Sequence, residues 1–558
     1  MHKRLYILLW LGAALQLVAC GTYKSVHNKP ILEGYNATPP VVVQYSDTSF
    51  SYKNNFLVKN RQQLWELYVE GDALQRGLIN GALTQDLIKK QEGSFVKKVD
   101  ELVPSKFKQA LLRQFLKWYN RKLYLNVPEE YKTEIYGISR YSSHEFDNIA
   151  PPYLRSLYLH GAHDIGHALS DLALVGCTSF AVWDDKSEDG LLLLARNLDF
   201  YAGDEFAENK LVSFVKPEKG YPFMSVSWAG MIGTLSGMNL QGLTVTINAG
   251  KSDIPLVAKT PISLLTREIL QYAKNIDEAV AIAKKRKVFV SESIMVGSAN
   301  DHKAVLIEVS PNKLDVYDVP NTSQLICTNH FQGAAYKDDD NNRAAIRDSH
   351  SEYRFERMTQ LLDQNDKINP VKAATIMRST TGLNGIALGY GNEKAINQLL
   401  AHHSVIFKPE QRLVWVASSP YMLGAYVAYD LNEIFKGQDT GTTGKPMGID
   451  SLLIPEDPFV HSQAYWDYET FRKQDRIIDR GLEDKKGLSV DFIKEYQALN
   501  PDYWVVYYKV GRYYYDKGYY TAAREQFKKA LTKVITTLPD REATQEYLNK
   551  ATRKSGGE

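Results

Sequence analysis

The sequence predicts an α+β fold in which two β-sheets are covered by helices, and two observations lead to this prediction. Between residues 177 and 419, short β-branched and apolar runs alternate with turns, and helical patterns lie between these runs. On both sides of this stretch, apolar residues recur at the three- and four-residue spacing of helices. A chain of 558 residues is long enough for a sizeable core and more than one domain. We therefore expect a mixed core with helical segments before and after it.

The first twenty residues have the pattern of a targeting signal. A basic start, His2-Lys3-Arg4, precedes an apolar run from Leu5 to Leu17. The following Leu17-Val18-Ala19-Cys20 resembles a bacterial lipobox. This resemblance implies cleavage before Cys20, lipidation of its thiol and anchoring at the cell envelope, on the periplasmic or outer-membrane face. The alternative is an ordinary signal peptide in which Cys20 is incidental, and in either case the run is short for a transmembrane helix.

The rest of the chain divides by composition. Residues 21–60 are rich in Pro, Asn, Ser and Thr with little periodicity, which is typical of a tether. Residues 61–176 follow with a helical pattern in which Leu64, Leu67 and Tyr68 belong to the first amphipathic stretch. The predicted regions are a signal peptide (1–20), a tether (21–60), a helical pro-segment (61–176), the core (177–428), a linker rich in Gly, Pro, Thr and Asp (429–458) and a helical C-terminal region (459–558).

Within the core, the pattern predicts individual elements. Strands are expected at 211–215, 224–228, 230–235, 243–247, 288–296, 303–309, 314–319, 403–407 and 412–417. Helices are expected at 263–274, 276–285, 353–362 and 370–378.

The C-terminal region contains the spacing of one tetratricopeptide repeat. The residues that carry it are Tyr507, Val510, Gly511, Tyr514, Ala523, Phe527 and Ala530. A single repeat cannot bury both of its faces, so it is expected to pack on the preceding helices or on the core. Two interpretations stay open, a repeat that binds a protein partner and an ordinary amphipathic helical pair.

Charge and cysteine content narrow the chemistry. The formal net charge of +2 gives no argument for a nucleic-acid partner. With Cys20 assigned to lipid, only Cys177 and Cys327 remain. In an exported chain these two cysteines could form one disulfide, or at least one thiol is retained for chemistry.

A histidine-rich stretch invites a metal interpretation. His163 and His167 stand four residues apart, with Asp164 beside the first, in a loose likeness to a zinc-protease motif. Asp replaces the Glu that polarises water, Gly166 weakens the helix, and no later ligand is evident. We therefore expect polar contacts beside the following strand and no metal cofactor, with a zinc hydrolase as the least favoured function.

The stretch around Cys177 is the strongest candidate for chemistry. Cys177 opens an apolar run, a charged turn follows, and a second apolar run leads to Arg196 and Asp199. Read as a hairpin, the return strand brings a guanidinium and a carboxylate back towards the thiol. A neighbouring cation lowers a thiol pKa and produces a nucleophilic thiolate.

Five motifs in order resemble the cysteine N-terminal-nucleophile hydrolases, in particular the choloylglycine hydrolase/penicillin V acylase and isopenicillin-N acyltransferase groups. They are Gly176-Cys177-Thr178-Ser179-Phe180, Ala195-Arg196-Asn197-Leu198-Asp199-Phe200, Gly237-Met238-Asn239-Leu240-Gln241-Gly242-Leu243, Thr328-Asn329-His330-Phe331 and Ser351-Glu352-Tyr353-Arg354-Phe355-Glu356-Arg357. The resemblance implies an αββα sandwich and autocatalytic cleavage between Gly176 and Cys177. The new α-amine, with a pKa of about 7.7 in model peptides, then serves as general base for its own thiol.

The resemblance also implies a role for each site residue. Cys177 is nucleophile and base, Arg196 lowers the thiol pKa, and Asp199 orients the α-amine. Asn329 matches an oxyanion-hole asparagine, and Asn248 matches a second asparagine whose surroundings supply oxyanion donors. Arg354, preferred to Arg357, matches a distal active-site arginine.

Each of these residues also has a purely structural interpretation. Cys177 could be a small buried hydrophobe. Arg196 and Asp199 could form an ion pair across a turn. Asn248 could belong to a turn, and both distal arginines could be solvated on a helix.

The expected activity is hydrolysis of a linear amide, an N-acyl amino acid or N-acyl amine, through a thioester and without a cofactor. Acyl transfer to an amine acceptor is the alternative within the same chemistry. A lipoprotein scaffold with an idle core and a partner-binding tail is the alternative from another class. The long segment before Cys177 departs from bile-salt hydrolases and resembles acid ceramidase-like members, in which it stays associated after cleavage.

Overall fold

The structure is a computed structural model that describes residues 22–161, 164, 175–201, 203–252, 257–400, 402–436, 444–484 and 487–556. Its strands are β1 (Val43–Ser46), β2 (Ser49–Tyr52), β3 (Asn55–Lys59), β4 (Trp65–Gly71), β5 (Val175–Val182), β6 (Leu193–Phe200), β7 (Leu211–Pro217), β8 (Phe223–Ser227), β9 (Ser236–Asn239), β10 (Leu243–Ala249), β11 (Glu292–Ser298), β12 (Lys303–Val309), β13 (Leu314–Tyr317), β14 (Gln324–Cys327), β15 (His403–Lys408), β16 (Leu413–Ala417), β17 (Tyr426–Asp430) and β18 (Ile449–Ile454).

The α-helices lie before, between and after these strands. They are α1 (Ala73–Leu83), α2 (Gln85–Leu102), α3 (Lys106–Tyr119), α4 (Glu129–Ser139), α5 (Pro152–Leu159), α6 (Asp204–Glu208), α7 (Ile262–Tyr272), α8 (Ile276–Lys285), α9 (Asp340–Asp348), α10 (Ser351–Asp363), α11 (Pro370–Met377), α12 (Leu431–Phe435), α13 (Gln463–Glu483), α14 (Val490–Leu499), α15 (Trp504–Asp516), α16 (Tyr520–Leu531) and α17 (Leu538–Lys554).

The strands form two sheets. The first has the order β1-β2-β3-β4-β7-β8-β9-β10-β11-β12-β13, and the second has the order β14-β5-β6-β15-β16-β17-β18. Neighbouring strands run antiparallel throughout, apart from the parallel pair β4 and β7.

The two sheets pack face to face with helices on their outer faces. Side chains from both sheets, such as Phe214 and Val405, form the apolar layer between them. Helices α10 and α11 cover the second sheet, and the N-terminal helices with α7 and α8 cover the first. The order of layers is therefore helix, sheet, sheet, helix, which confirms the predicted α+β class and αββα arrangement.

The prediction of a tether and an all-helical pro-segment is wrong for residues 43–71. β1 to β3 form a meander where the tether was expected, and Trp65–Gly71 forms β4 where a helix was expected. Leu67 packs on one face of the sheet and Tyr68 on the other. A strand buried on both faces has no alternation of apolar and polar residues. Its apolar residues therefore also fit the three- and four-residue spacing of a helix.

The prediction of a linker at 429–458 is also wrong. β17 extends to Asp430, α12 follows it, and β18 pairs with β17 at the edge of the second sheet. The core therefore extends to Ile454. Most of β18 is exposed, and its surroundings are rich in turn residues, which explains the prediction.

The C-terminal helices are confirmed, and they pack on the core. In the repeat-like pair α15 and α16, a Cβ on Gly511 would lie 2.7 Å from the Phe527 ring, so the two helices approach closely there. Asn500 exchanges two hydrogen bonds with the backbone of Tyr390 in the core. Asn392 donates to the carbonyl of Val534. The region is thus attached to the core segment 389–400.

Within the described ranges, none of the helices combines the length and apolar character that a membrane span needs. The predicted signal peptide and Cys20 lie outside the described residues.

Candidate active site

The β5–β6 hairpin determines which side chains meet Cys177. The register pairs Cys177 with Leu198 and Ser179 with Arg196. Successive side chains of a strand alternate between faces. Leu194 lies in the layer between the sheets, so Arg196, two residues further on, shares that face, as does Cys177. Asp199 belongs to the opposite face, the face of Ala195, although its backbone pairs with Gly176.

Arg196 is the cation at the thiol. Its side chain is fully buried, and Nη2 donates to Cys177 Sγ at 3.5 Å. Burial raises the pKa of the Cys177 thiol, while the charge of Arg196 lowers it and those of Asp199 and Glu292 raise it. In the intact chain the net pKa shift is upward, so the protonated thiol is favoured.

Asp199 is a buried carboxylate next to the predicted cleavage point. Within the described part of the chain, neither of its oxygens has a hydrogen-bond partner. Burial raises the pKa of Asp199 to about 7, against the opposing charges of Arg354 and Arg196. A buried carboxylate without donors is costly, and a cation beside Gly176 would relieve that cost. An ion pair between Arg196 and Asp199, the structural alternative, is not what holds these side chains.

Asn329 and Arg354 hold the backbone of Cys177. The amide of Cys177 donates to Asn329 Oδ1 at 3.0 Å. Arg354 Nη1 donates to the Cys177 carbonyl at 2.6 Å and to Thr178 Oγ1 at 2.7 Å. Nη2 of Arg354 also donates to Asn329 Oδ1. Asn329 Nδ2 donates to the Ala249 carbonyl at 2.9 Å, which uses one of its two N–H groups.

The structure distinguishes the two distal arginines. Arg354 is fully buried at Cys177, so the solvated interpretation does not hold for it. Arg357, one turn along α10, instead donates to the Thr381 carbonyl and to Gln360. Arg354 is therefore the arginine of the site.

Asn248 connects the two sheets and does not present a free donor. Its Nδ2 donates to the carbonyls of Cys327 and Thr328, at 2.9 and 3.2 Å. Its Oδ1 accepts from Ser179 Oγ. Both amide hydrogens are used, so the side chain positions β5 and β14 relative to β10. Asn248 lies within β10, so the interpretation as a turn residue is wrong.

Gly176 is enclosed by a segment that sequence reasoning did not identify. A Cβ at this position would lie 2.3 Å from Gln398 Nε2. Gln398 in turn donates to the Glu393 carbonyl at 3.2 Å, within the segment that the C-terminal helices contact. A side chain at 176 would therefore require the Gln398 amide to shift, and no local pattern reveals this contact.

Sequence reasoning also missed three polar residues around the arginines. Ser236 Oγ and His403 Nε2 contact Arg196 Nη1, at 2.9 and 3.2 Å. His350 Nδ1 accepts from Arg354 Nε at 3.2 Å. The four-residue spacing of His350 and Arg354 was a usable signal. Ser236 and His403 lie on other strands, and only the sheet order brings them to Arg196.

The two remaining cysteines do not form a disulfide. Cys177 and Cys327 are both free thiols, and both are buried. Cys327 pairs across β14 and β5 with Ser179, so it lies beside the site strand; its carbonyl accepts from Asn248, and its thiol contacts the Thr328 carbonyl.

His163 and His167 lie outside the described residues, so the structure does not bear on the proposed zinc pair. The nearby His160 is described: its Nδ1 contacts the Ser156 carbonyl, and its Nε2 accepts from the Ile232 amide. Asp164 accepts from the Ile262 amide at the start of α7. In the described ranges, no group of three or more His, Cys, Asp or Glu side chains is arranged to hold a metal ion.

A mostly apolar cavity lies between the N-terminal helices and the core. Ile88, Phe95 and Leu159 line one side, and Phe200, Phe206 and Trp228 line the other. Phe200 directly follows Asp199, so the cavity begins one residue from the site. The cavity has a volume of about 40 Å³, smaller than the roughly 300–1,000 Å³ of typical ligand pockets, so it would have to widen to hold an acyl chain.

Comparisons with known proteins relate part of this chain to one family and to two curated relatives. A model of the family "Acyl-coenzyme A:6-aminopenicillanic acid acyl-transferase" matches residues 183–419, starting just after Cys177. An uncharacterized protein of Archaeoglobus fulgidus is 27% identical over 271 residues, covering 45% of this chain and 44% of its own length. Protein dcd1B of Dictyostelium discoideum is 23% identical over 271 residues, covering 45% of this chain and 51% of its own. The chain thus spans about half the length of the curated relatives it matches.

Two solved structures share a more distant likeness. The Caenorhabditis elegans N-acylethanolamine-hydrolyzing acid amidase ortholog is 18% identical with a TM-score of 0.31, covering 42% of this chain and 93% of its own. A mutant of conjugated bile acid hydrolase from Clostridium perfringens is 15% identical with a TM-score of 0.31, covering 46% and 93%. The family match at residues 183–419 relates this core to that family of acyl-transferases.

Proposed function

We propose that this protein is a cysteine amidase that activates itself by cleaving the Gly176–Cys177 bond. Cys177 then becomes the N-terminal residue of the mature chain and attacks the carbonyl of a linear N-acyl amino acid or N-acyl amine. The acyl group passes to the thiol as a thioester, and water releases it.

The observation that carries this proposal is the buried carboxylate of Asp199 opposite Gly176. In the intact chain, its oxygens have no hydrogen-bond partner among the described residues. Cleavage before Cys177 creates an α-ammonium group at this end of β5, where the backbone of Asp199 is the register partner of Gly176. The new cation and the carboxylate stabilise each other, and the amine is held where it can serve the thiol.

The neighbouring contacts supply the rest of the chemistry. In the first step, Cys177 Sγ adds to the Gly176 carbonyl carbon, the C–N bond breaks, and the backbone nitrogen leaves as the α-amine with the thiol proton. Water hydrolyses the resulting thioester and restores the thiol. In turnover, the α-amine takes the proton from Sγ, Arg196 stabilises the thiolate, and the second N–H of Asn329 is available to the oxyanion.

The cavity supports an acyl group with an apolar chain as the substrate. Its wall combines side chains of the N-terminal helices and of the core, and its aromatic members include Phe200, Phe206 and Trp228. Because both halves contribute, we propose that the pro-segment stays bound after cleavage and is part of the substrate site.

Acyl transfer to an amine is the second candidate, since the family matched at 183–419 is one of acyl-transferases. Adding an amine nucleophile such as glycine or hydroxylamine during turnover separates the two activities. A transferase yields mainly the acyl-amine product, whereas a hydrolase yields mainly the free acid.

The decisive experiment compares wild type, Cys177→Ala and Cys327→Ala by denaturing gel and intact mass. Wild type and Cys327→Ala are expected as two fragments, with the second beginning at Cys177, and Cys177→Ala as one chain. Release of amine from N-acyl amino acids and N-acyl amines of increasing chain length is then measured. An uncleaved wild type without amidase activity would overturn the proposal and favour a scaffold whose C-terminal helices bind a partner.

We propose, in addition, that a lipid on Cys20 anchors the protein to the cell envelope. The support is the Leu17-Val18-Ala19-Cys20 pattern alone. Fractionation of wild type and Cys20→Ala tests it: the wild type is expected with membranes, and the variant in the soluble fraction.

A further inference from the structure

The guanidinium of Arg196 is held by neutral groups. Besides Cys177 Sγ, its partners in the described part of the chain are Ser236 Oγ, His403 Nε2 and the Ile247 carbonyl. A carboxylate in hydrogen-bond contact would neutralise much of the guanidinium charge. Neutral acceptors fix the orientation of the side chain and leave that charge for the thiolate.

The proton positions in this cluster follow from the donors. Arginine can only donate, so His403 Nε2 accepts, and the ring of His403 carries its proton on Nδ1. His403 Nδ1 lies 2.8 Å from His402 Nδ1. His402 must therefore accept there and carry its own proton on Nε2. Arg196 therefore fixes the tautomer of His403, and His403 in turn fixes that of His402, whose Nε2 has no hydrogen-bond partner among the described residues.

The surroundings keep both imidazoles neutral. Both rings are completely buried, and burial lowers the pKa of His402 to about 3 and that of His403 well below its usual value. The cations that face them, Arg196 and Lys210, act in the same direction. The buried carboxylates Asp199 and Glu292 act on Arg196 through their charges.

The position of His403 follows from the order of strands in the second sheet. β15 lies beside β6, with His403 paired to Leu198 and Val405 paired to Arg196. Val405 belongs to the layer between the sheets, so His403, two residues earlier, shares the face of Arg196.

The aromatic rings of Phe206 and Trp228 pack against His402, at 5.8 and 5.3 Å between centroids.

We propose that His403, whose Nδ1–H donates to His402, is a positioning residue that holds Arg196 against the thiol of Cys177. The inference rests on the proposed function of Cys177. Loss of the acceptor allows the guanidinium to turn away from Sγ, so the thiolate is less stabilised.

The test measures alkylation of Cys177 by iodoacetamide against pH in the processed full-length protein, followed by mass spectrometry of the Cys177 fragment. In His403→Leu, the midpoint of the pH profile is expected to rise by about one unit, a tenfold loss of thiolate below the midpoint. His403→Gln, whose amide oxygen can accept from Arg196, is expected to restore most of the wild-type midpoint. His461→Leu, at an exposed histidine paired with Glu456, is the matched control and is expected to change nothing.

His402→Leu tests the acceptor of the His403 Nδ1–H separately, because it leaves His403 in place. This variant is expected to raise the pH midpoint by a smaller amount than His403→Leu. If His403→Leu fails to fold, His402→Leu alone tests the positioning role. The positioning role would be overturned if a folded His403→Leu or His402→Leu variant kept the wild-type pH midpoint of Cys177 alkylation and showed only a lower melting temperature. If wild-type Cys177 shows no pH-dependent alkylation at all, the proposed function fails first.

Discussion

Cys177 and Cys327 lie on neighbouring strands of one sheet, but their electrostatic surroundings differ. Both are essentially fully buried, and burial raises the pKa of both thiols. At Cys177 the charges of Arg196 and Arg354 oppose this rise. At Cys327 the charge of Glu308 adds to it, and the side chain packs in the apolar layer between the sheets. The two cysteines therefore share burial and sheet position but differ in the neighbouring guanidinium groups, which oppose the rise in pKa at Cys177.

The largest expected effect is the difference in amidase rate between the Cys177→Ala and Cys327→Ala variants. Cys177→Ala is expected to lower the amidase rate by at least about 10⁴-fold, since removal of a covalent nucleophile costs this much or more. Cys327→Ala is expected to keep the rate within about threefold, because its thiol makes only a long, 3.6 Å contact with the Thr328 carbonyl, and a thiol is a weak donor. Steady-state amine release measures both. Comparable losses in the two variants would contradict the comparison.

The two buried carboxylates next to these cysteines provide the second test. Burial raises the pKa of Asp199 from 3.8, and that of Glu308 from 4.5, to about 7. A folded-state pKa above the unfolded value adds stability at low pH that is lost as pH rises from about 4 to about 7. In the uncleaved Cys177→Ala chain, Asp199→Asn is expected to remove up to about 4 kcal/mol of this pH dependence.

Urea unfolding at pH 4 and pH 7.5 measures this effect, and Glu308→Gln is the matched control. Glu308→Gln should also reduce the pH dependence, but only Asp199→Asn should slow cleavage when Cys177 is present. Equal cleavage in both variants would remove Asp199 from the proposed mechanism.

Asn329 contacts Cys177 and Asn248 contacts Cys327, and we expect the first asparagine to matter for catalysis and the second for stability. Asn329→Ala is expected to lower kcat by about 10²–10³-fold, because it removes an oxyanion donor and the acceptor of the Cys177 amide. Asn248→Ala should lower the melting temperature and affect kcat less, since its amide is used between the sheets. Kinetics and thermal unfolding of both variants are the measurements, and a reversed order would contradict the assignment.

The smallest expected effect concerns the two arginines of α10. Arg354→Lys is expected to slow turnover by about tenfold, because one ammonium group cannot hold the Cys177 carbonyl, Thr178 and Asn329 together. The loss corresponds to about 1.5 kcal/mol, one charge-assisted hydrogen bond. Arg357→Lys should leave the rate within about twofold. An equal response of kcat/KM in the two variants would show that Arg354 has no special place in the site.

Local patterns predicted much of the core. The helix expected at 276–285 is α8, and the strand expected at 303–309 is β12, with the same limits. Cys177, Arg196 and Asp199 were found because one hairpin carries all three. The strand expected at 230–235 instead begins at Ser236. Glycines at 230 and 233 interrupt the run, and pairing with β8 and β10 decides where the strand starts.

Residues from distant parts of the chain were harder to predict. Ser236, His403 and Gln398 reach Arg196 or Gly176 only through strand order and loop packing. A histidine at the start of an apolar strand is indistinguishable from a buried core histidine by pattern alone. β4 was missed because it is buried on both faces between β3 and the distant β7, so its apolar residues show no period-two pattern.

The sequence by itself determined the α+β class, the hairpin with its thiol, guanidinium and carboxylate, and the helical C-terminal region. These depend on periodicity and on residues close together in the chain. The tertiary structure alone decided that the N-terminal region joins the first sheet, that Arg354 and not Arg357 meets Cys177, and that the buried His403 contacts Arg196. These depend on register and sheet order, which are set by long-range burial that no local pattern records.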